Sequence, residues 1–227
     1  NGTGKSTLLK MVAGLEEPDS GRIVRGRNLD IRYLPQNPVF HPGETVLESV
    51  LRENEGHEHV WDLESQAKSM LNRLGIPDFN EKVEHLSGGQ KKRAALASVL
   101  LSTAELLILD EPTNHLDLET MEWLENYLKA YRGAVLVVSH DRYFLDAVCT
   151  RIWELRGKSI KTYRGNYSAY LPQREAADER QQKLHDAAVE KAAKLQDYVD
   201  RNLVRASTTK MAQSRRKQLE KLEITEA

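Results

Sequence analysis

Two short runs containing no polar residue constrain the fold more than any other feature of the chain. Leu106-Leu107-Ile108-Leu109 ends on Asp110-Glu111, and Ala134-Val135-Leu136-Val137-Val138 ends on Ser139-His140-Asp141. A strand buried on one face alternates apolar and polar residues, whereas a strand apolar at every position is buried on both. Helical spacing over Leu118–Tyr131 separates the two runs. Strand, helix and strand in that order make a βαβ unit of a parallel sheet. Binding sites in open parallel sheets lie beyond the carboxyl ends of the strands, where Asp110, Glu111 and His140 fall.

Composition agrees with a folded α/β protein. Of 227 residues, 40% are apolar and 30% charged, enough to fill a core. Charge nearly balances, 33 basic against 34 acidic, so any attraction to nucleic acid or membrane is local rather than global. Cys149 stands alone, which excludes an internal disulfide and a cysteine-built zinc site. It reads as a small core residue in a reducing compartment. No apolar run approaches the ~18 residues of a bilayer-spanning helix, and no basic-then-apolar leader opens the chain. A soluble, cytoplasmic protein is expected. The chain begins at Asn1, without Met and inside a phosphate-binding motif, so it reads as a fragment of something longer.

All thirteen Gly and all seven Pro lie in residues 1–172, and residues 173–227 contain neither. This shift predicts a domain boundary near Pro172, with a punctuated α/β domain before it and nearly continuous helix after it. In the front domain, helices are expected over Lys5–Ala13 (stopped by Gly14), Glu44–Leu51, Glu64–Leu74 (closed by Gly75) and Gly88–Leu101. Short strands are expected at Arg22–Val24 and Ile31–Leu34, and a small hairpin from Ile152–Leu155 and Ser159–Tyr163.

Asn1-Gly2-Thr3-Gly4-Lys5-Ser6-Thr7 matches the end of the G-x-x-x-x-G-K-[ST] pattern. Glycines let backbone N–H groups turn onto phosphate oxygens, Lys5 brings a charge to the β- and γ-phosphates, and Ser6 offers a hydroxyl to Mg²⁺. Taken alone, seven residues would also suit an ordinary Gly-rich turn before a helix. Asp110, ending its strand, suits Mg²⁺, and Glu111 suits a general base that polarises an attacking water. In isolation the pair would equally suit a strand exit with solvated acids. Gln36, after the strand Ile31–Leu34, is a candidate for the metal or the water. His140 is a candidate for a γ-phosphate, although a lone His at a strand exit is commonly a plain surface residue.

Leu86-Ser87-Gly88-Gly89-Gln90 completes an ordered series: phosphate loop, Gln36, LSGGQ, Asp110-Glu111, Asp117 and His140. Over residues 1–172 the chain resembles the ATP-binding cassette family. That resemblance implies a P-loop NTPase fold, ATP and Mg²⁺ as ligands, and ATPase activity. It implies further that Ser87, Gly88, Gly89 and Gln90 bind the ATP of a second cassette in trans, with Asp117 in the loop between the sites. Pro112-Thr113-Asn114-His115-Leu116-Asp117 resembles the ABC-F subfamily, as do Ser139–Asp146 and Gly165–Leu171. ABC-F proteins carry two cassettes in one chain, no membrane domain and a helical linker, which residues 173–227 resemble. The expectation is thus a first cassette plus most of a linker whose second cassette belongs to the same full-length chain.

The linker has its own charge pattern. Between Arg201 and Lys217 stand Arg201, Arg205, Lys210, Arg215, Arg216 and Lys217 and no acid, whereas Arg174–Asp200 holds five basic residues against seven acids. Ser207, Thr208 and Thr209 suit a break in the helix. Leu184, Ala188, Leu195 and Val199 beside Leu219 and Leu222 would seam two antiparallel helices into a hairpin with a cationic tip. Such a tip suits a phosphate backbone, or equally a solvated basic face. With the resemblance, it implies contact with the ribosome, the tRNA in the peptidyl site and rRNA. Only some fifty residues separate Gln36 from Leu86, so no arm is inserted there. The alternatives are the ATPase subunit of a membrane transporter and an ABC-F protein that protects the ribosome from antibiotics.

Overall fold

The computed structural model describes residues 4–54, 62–157, 159–202 and 214. Three parallel strands, β1 (Ile31–Leu34), β2 (Leu106–Asp110) and β3 (Ala134–Val138), form a sheet in the order β1-β2-β3. The register pairs Leu34 with Leu109 and Asp110 with Val138, so all three strands exit at one edge. Gln36, Glu111 and His140 therefore leave the sheet from the same side. Leu107, Ile108 and Leu109 are fully buried, as a strand apolar at every position requires.

Helices supply the cover. α1 (Lys5–Ala13) packs on β1 and β2. It ends at Gly14, whose left-handed φ of 84° lets the Leu15 N–H bond back to Lys10 O at 2.9 Å. α2 (Val46–Arg52), α3 (Leu63–Arg73) and α4 (Gly88–Leu101) pack on one another, with α4 also against β1. Both α2 and α4 open with capping boxes, Thr45 with Glu48 and Ser87 with Gln90. The common core joins Leu71 and Leu74 of the α3 region, Leu96 and Leu100 of α4, Leu107 and Leu109 of β2, and Leu124 and Leu128 of α5 (Leu118–Ala130). Gly133 makes the turn from α5 into β3, where a Cβ would stand 2.7 Å from Ala104 O and 2.8 Å from Glu105 O.

Two features depart from the sequence expectations. Arg22–Val24 forms no strand: Val24 is 79% exposed, and Arg25 instead donates to the Met11 and Val12 carbonyls at the end of α1. A helix that sequence periodicity did not indicate, α6 (Arg142–Val148), follows β3. Asp141 caps it, its Oδ1 accepting from Tyr143 N at 2.9 Å and Phe144 N at 3.1 Å, and Phe144 is fully buried. The hairpin appears as antiparallel β4 (Arg151–Arg156) and β5 (Ser159–Arg164).

The chain divides into two compact units, Asn1–Tyr167 and Ser168–Ala227. Within the second, α7 (Tyr167–Asn202) is one helix of 36 residues that contains Pro172. The compositional boundary at Pro172 thus falls inside a helix that starts earlier, just past Gly165. Proline removes one N–H from the helical ladder without ending this helix. Along α7 the ion pairs Arg174–Asp178, Glu179–Lys183, Glu190–Lys194 and Asp197–Arg201 are all spaced i,i+4. Such pairs support a helix locally by ~0.2–0.5 kcal/mol each. Of the expected seam, Leu195 and Val199 are buried at 7% and 5% exposure, whereas Leu184 is 66% exposed. Leu219 and Leu222 lie outside the described residues.

Candidate active site

The site grows from the exit of β2. Asp110, the last residue of β2, is 2% exposed, and its Oδ2 has no hydrogen-bond partner among the described residues. A buried carboxylate oxygen left unbonded is costly unless it meets a cation. Mg²⁺ is held through one or two carboxylates together with substrate phosphates, and the unbonded Oδ2 of Asp110 at the strand exit is a donor of that kind.

Glu111 comes next, 6% exposed and at a φ of 53°. Left-handed backbone at a non-glycine residue costs on the order of 1–3 kcal/mol and persists only where surroundings enforce it. Here the Glu111 N–H donates to Val138 O at 2.8 Å, tying the turn to the end of β3. The side chain turns to the same loop: its Oε2 accepts from His140 N at 3.2 Å, and its Oε1 stands 3.5 Å from His140 Nε2. Ser139 completes the bracket, with its Oγ 3.3 Å from Thr113 Oγ1 and accepting from Asp141 N at 3.0 Å. Glu111 and His140, 29 positions apart in sequence, are thus joined as a pair.

The phosphate loop is partly described. Gly4 caps α1 at φ 75°, a conformation easy only for glycine, and no side chain caps the helix. The first-turn N–H groups of α1 are then free of side-chain competition for an anion. Lys5 and Ser6 open α1 half-buried, and Thr7 is exposed. Asn1, Gly2 and Thr3 lie outside the described residues. Gln36 is exposed just beyond β1.

The signature residues form the start of α4. The Ser87 N–H donates to Gln90 Oε1 at 2.9 Å, and Gln90 N donates to Ser87 Oγ at 3.3 Å. Because Ser87 Oγ accepts in the cap, its proton remains available to a phosphate. Gly88 and Gly89 follow with no side chain over the helix start. A Cβ on Gly89 would come within 3.3 Å of the His115 Cβ and Cγ atoms, so the loop after Glu111 lies directly against the signature. Asp117 caps α5, its Oδ1 accepting from Thr120 N at 2.8 Å. That bond, with Arg93 and Arg73 nearby, holds its carboxyl below the usual range.

One residue of the site escaped the sequence reading. Lys92 is 5% exposed, and burial pushes its ammonium pKa down while the nearby Asp110 and Glu111 carboxylates act the other way. Inside the run Lys91-Lys92-Arg93 it resembles a solvated charge. The signal that marks it is helical phase, since Lys92 shares its face with Leu96 and Val99 at i, i+4 and i+7. Of the expected RNA-contacting residues, Arg201 is exposed and paired with Asp197 at 2.9 Å, while Arg205, Lys210, Arg215, Arg216 and Lys217 lie outside the described residues.

The chain is similar to known proteins along most of its length. Two ABC transporter family profiles match, one over residues 1–114 and a second over residues 153–227. The Bacillus subtilis protein YdiF is 42% identical over 99% of this chain and 41% of its own length. The energy-dependent translational throttle protein EttA of Haemophilus influenzae is 36% identical over 89% of this chain and 43% of its own length. The chain thus spans about two fifths of the curated relatives it matches. Among solved structures, the dimeric ATP-binding cassette MJ0796 bound to ADP and Pi superposes with a TM-score of 0.59 at 26% identity, over 72% of this chain and 81% of that one. With the signature helix, the phosphate-loop glycine and the Glu111–His140 pair in one fold, and with relatives of this kind along nearly its whole length, the chain belongs to the ATP-binding cassette family, in its ABC-F branch.

Proposed function

We propose that this chain is the ATP-hydrolysing first cassette, with its linker, of a cytoplasmic ABC-F translation factor. The Glu111–His140 pair carries the reading. A carboxylate with 6% exposure, fixed in one pose by a strained backbone and by a bond from His140 N, suits a base that orients water. Asn1 to Thr7 would cradle the phosphates, with Lys5 countering charge on the β- and γ-phosphates. Ser6, Gln36 and Asp110 would hold Mg²⁺, which when bound neutralises phosphate charge. Glu111 takes the proton of the attacking water as its oxygen bonds the γ-phosphorus and the bond to the β–γ bridging oxygen breaks. ADP and phosphate result. His140 steadies the transferred group.

Ser87, Gly88, Gly89 and Gln90 would act on ATP held by the second cassette of the full-length chain, with Asp117 between the two sites. Closure on two ATP molecules can do work only because the closed form binds them better than the open form. The linker would carry that closure to the ribosome, with Arg201, Arg205, Lys210, Arg215, Arg216 and Lys217 meeting P-site tRNA and rRNA. The relative named a translational throttle supports the choice of the ribosome as target.

The test is Glu111→Gln in the complete two-cassette protein, with the matching change in the other half. Hydrolysis should fall by about 10²–10⁴-fold, and the ATP-bound protein should sediment with ribosomes. Protein that stays in the supernatant with ATP present refutes the translation reading. Protein that partitions with membranes favours a transporter subunit.

A further inference from the structure

Three consecutive residues leading into α7, Gly165, Asn166 and Tyr167, are anchored on α6 and just past its end. The Gly165 N–H donates to Thr150 O at 2.9 Å, Asn166 Nδ2 donates to Asp146 O at 3.3 Å, and the Tyr167 ring lies 5.8 Å beneath the Arg142 guanidinium carbon. Arg142 and Asp146 share one side of α6 at i and i+4, and Thr150 follows two residues past the helix end. Gly165, Asn166 and Tyr167 therefore run antiparallel to α6, held just beyond its end, along it and at its start. Gly165 reaches this path with a φ of 100°, which a side chain would resist.

The other end of α6 is the candidate γ-phosphate loop. His140 meets Glu111, Asp141 caps α6, and Arg142 is the first helical residue. Two peptide bonds separate the group that would touch phosphate from the group that covers Tyr167. Of the three anchors, Gly165 and Asn166 bond to backbone carbonyls toward the far end of α6. Only the Arg142–Tyr167 contact sits beside the phosphate loop.

We propose that α6 and the Gly165–Tyr167 root form a joint through which the position of the His140 loop sets the order of the first turns of α7. The joint rests on the nucleotide-binding reading above and extends it from the site to the linker. A bound triphosphate draws His140, Asp141 and Arg142 move with it, and the cation above Tyr167 tightens or loosens the root of the helix. A contact of this kind can shift an equilibrium by no more than its own strength, about two- to fivefold for an exposed cation over an aromatic ring.

The experiment is hydrogen exchange on the complete two-cassette protein, with and without a non-hydrolysable ATP analogue. In the wild type the analogue should slow exchange both in α1 and in the first turns of α7. Tyr167→Leu should keep the α1 response and shrink the α7 response about two- to fivefold. Arg142→Gln, at an exposed position, should reproduce Tyr167→Leu without altering the core. An unchanged α7 response in both Tyr167→Leu and Arg142→Gln overturns the joint, as does a wild type protected in α1 but not in α7. Absence of α1 protection in the wild type would refute the nucleotide reading instead, and the joint with it.

Discussion

Adjacent glycines of the signature should respond unequally to alanine. Gly88 and Gly89 are the first two residues of α4, and neither has a positive φ. A methyl group at Gly88 meets nothing within 4 Å, whereas at Gly89 it comes within 3.3 Å of two His115 atoms. Replacing glycine by alanine where the backbone permits it stabilises by about 0.4–1 kcal/mol, through loss of freedom in the unfolded chain. Gly88→Ala should gain that amount. Gly89→Ala gains the same term but must displace His115, which sits at a φ of 68° in the turn after Glu111. His115 is exposed and need give by only a few tenths of an ångström, so Gly89→Ala should fall short of Gly88→Ala by less than the ~1–3 kcal/mol that overpacking a closed core costs. The difference between the two variants then reports the His115 contact alone. Native-state hydrogen exchange of the α4 amides in the complete protein measures it locally, without assuming that the whole chain unfolds in one step. His115→Ala should be additive with Gly88→Ala and should close the gap between Gly89→Ala and Gly88→Ala, a non-additivity expected only for touching residues. Equal effects of the two alanines, or no rescue by His115→Ala, would refute the packing of the signature against this loop. Both alanines should also weaken ATP-driven pairing of the cassettes, so Gly88→Ala should be more stable and less active at once.

Two further outcomes follow from burial. Asp110→Asn should lower stability, because the buried Lys92 ammonium loses one of the two carboxylates beside it, which outweighs neutralising an Oδ2 that lacks a partner. The same variant should weaken Mg²⁺-ATP binding relative to metal-free ATP, a split that nucleotide titration with and without Mg²⁺ resolves. Burial pushes the Cys149 thiol up to about 11 from 9.0. Its neutral form is thus favoured by folding, so any stability it contributes is present below pH ~9 and lost as pH rises toward ~11. At pH 8, alkylation of native Cys149 should run about 100-fold slower than that of the unfolded chain, since only the thiolate reacts. Equal rates would place the thiol in solvent.

What the sequence discloses depends on whether a residue's role is local. α4 begins and ends where Ser87, Gly88 and Leu101 suggest, because a capping box and an apolar helical face act within one segment. β2 is legible because residues buried on both faces leave no polar position, whereas β3, apolar throughout, has Ala134 exposed and its other four residues only half-buried. The pairing of Glu111 with His140 was legible only as an order of motifs. The left-handed turn that aims the carboxylate comes from the Val138 carbonyl on another strand. Lys92 hid in a basic run, since its burial depends on Asp110 and Glu111 arriving from β2. α6 is too short for periodicity to reveal, although Asp141 before Phe144 is a cap that could have marked it. Arg22–Val24 has strand-like residues but no ladder to join among the described residues.

The ion pairs along α7 carry an evolutionary consequence. A helix propped from within by charges one turn apart asks little of its surroundings. Its outward residues can drift in identity while the alternation of sign persists. Selection could then retune the length or reach of this segment beyond its root without touching the Glu111–His140 pair.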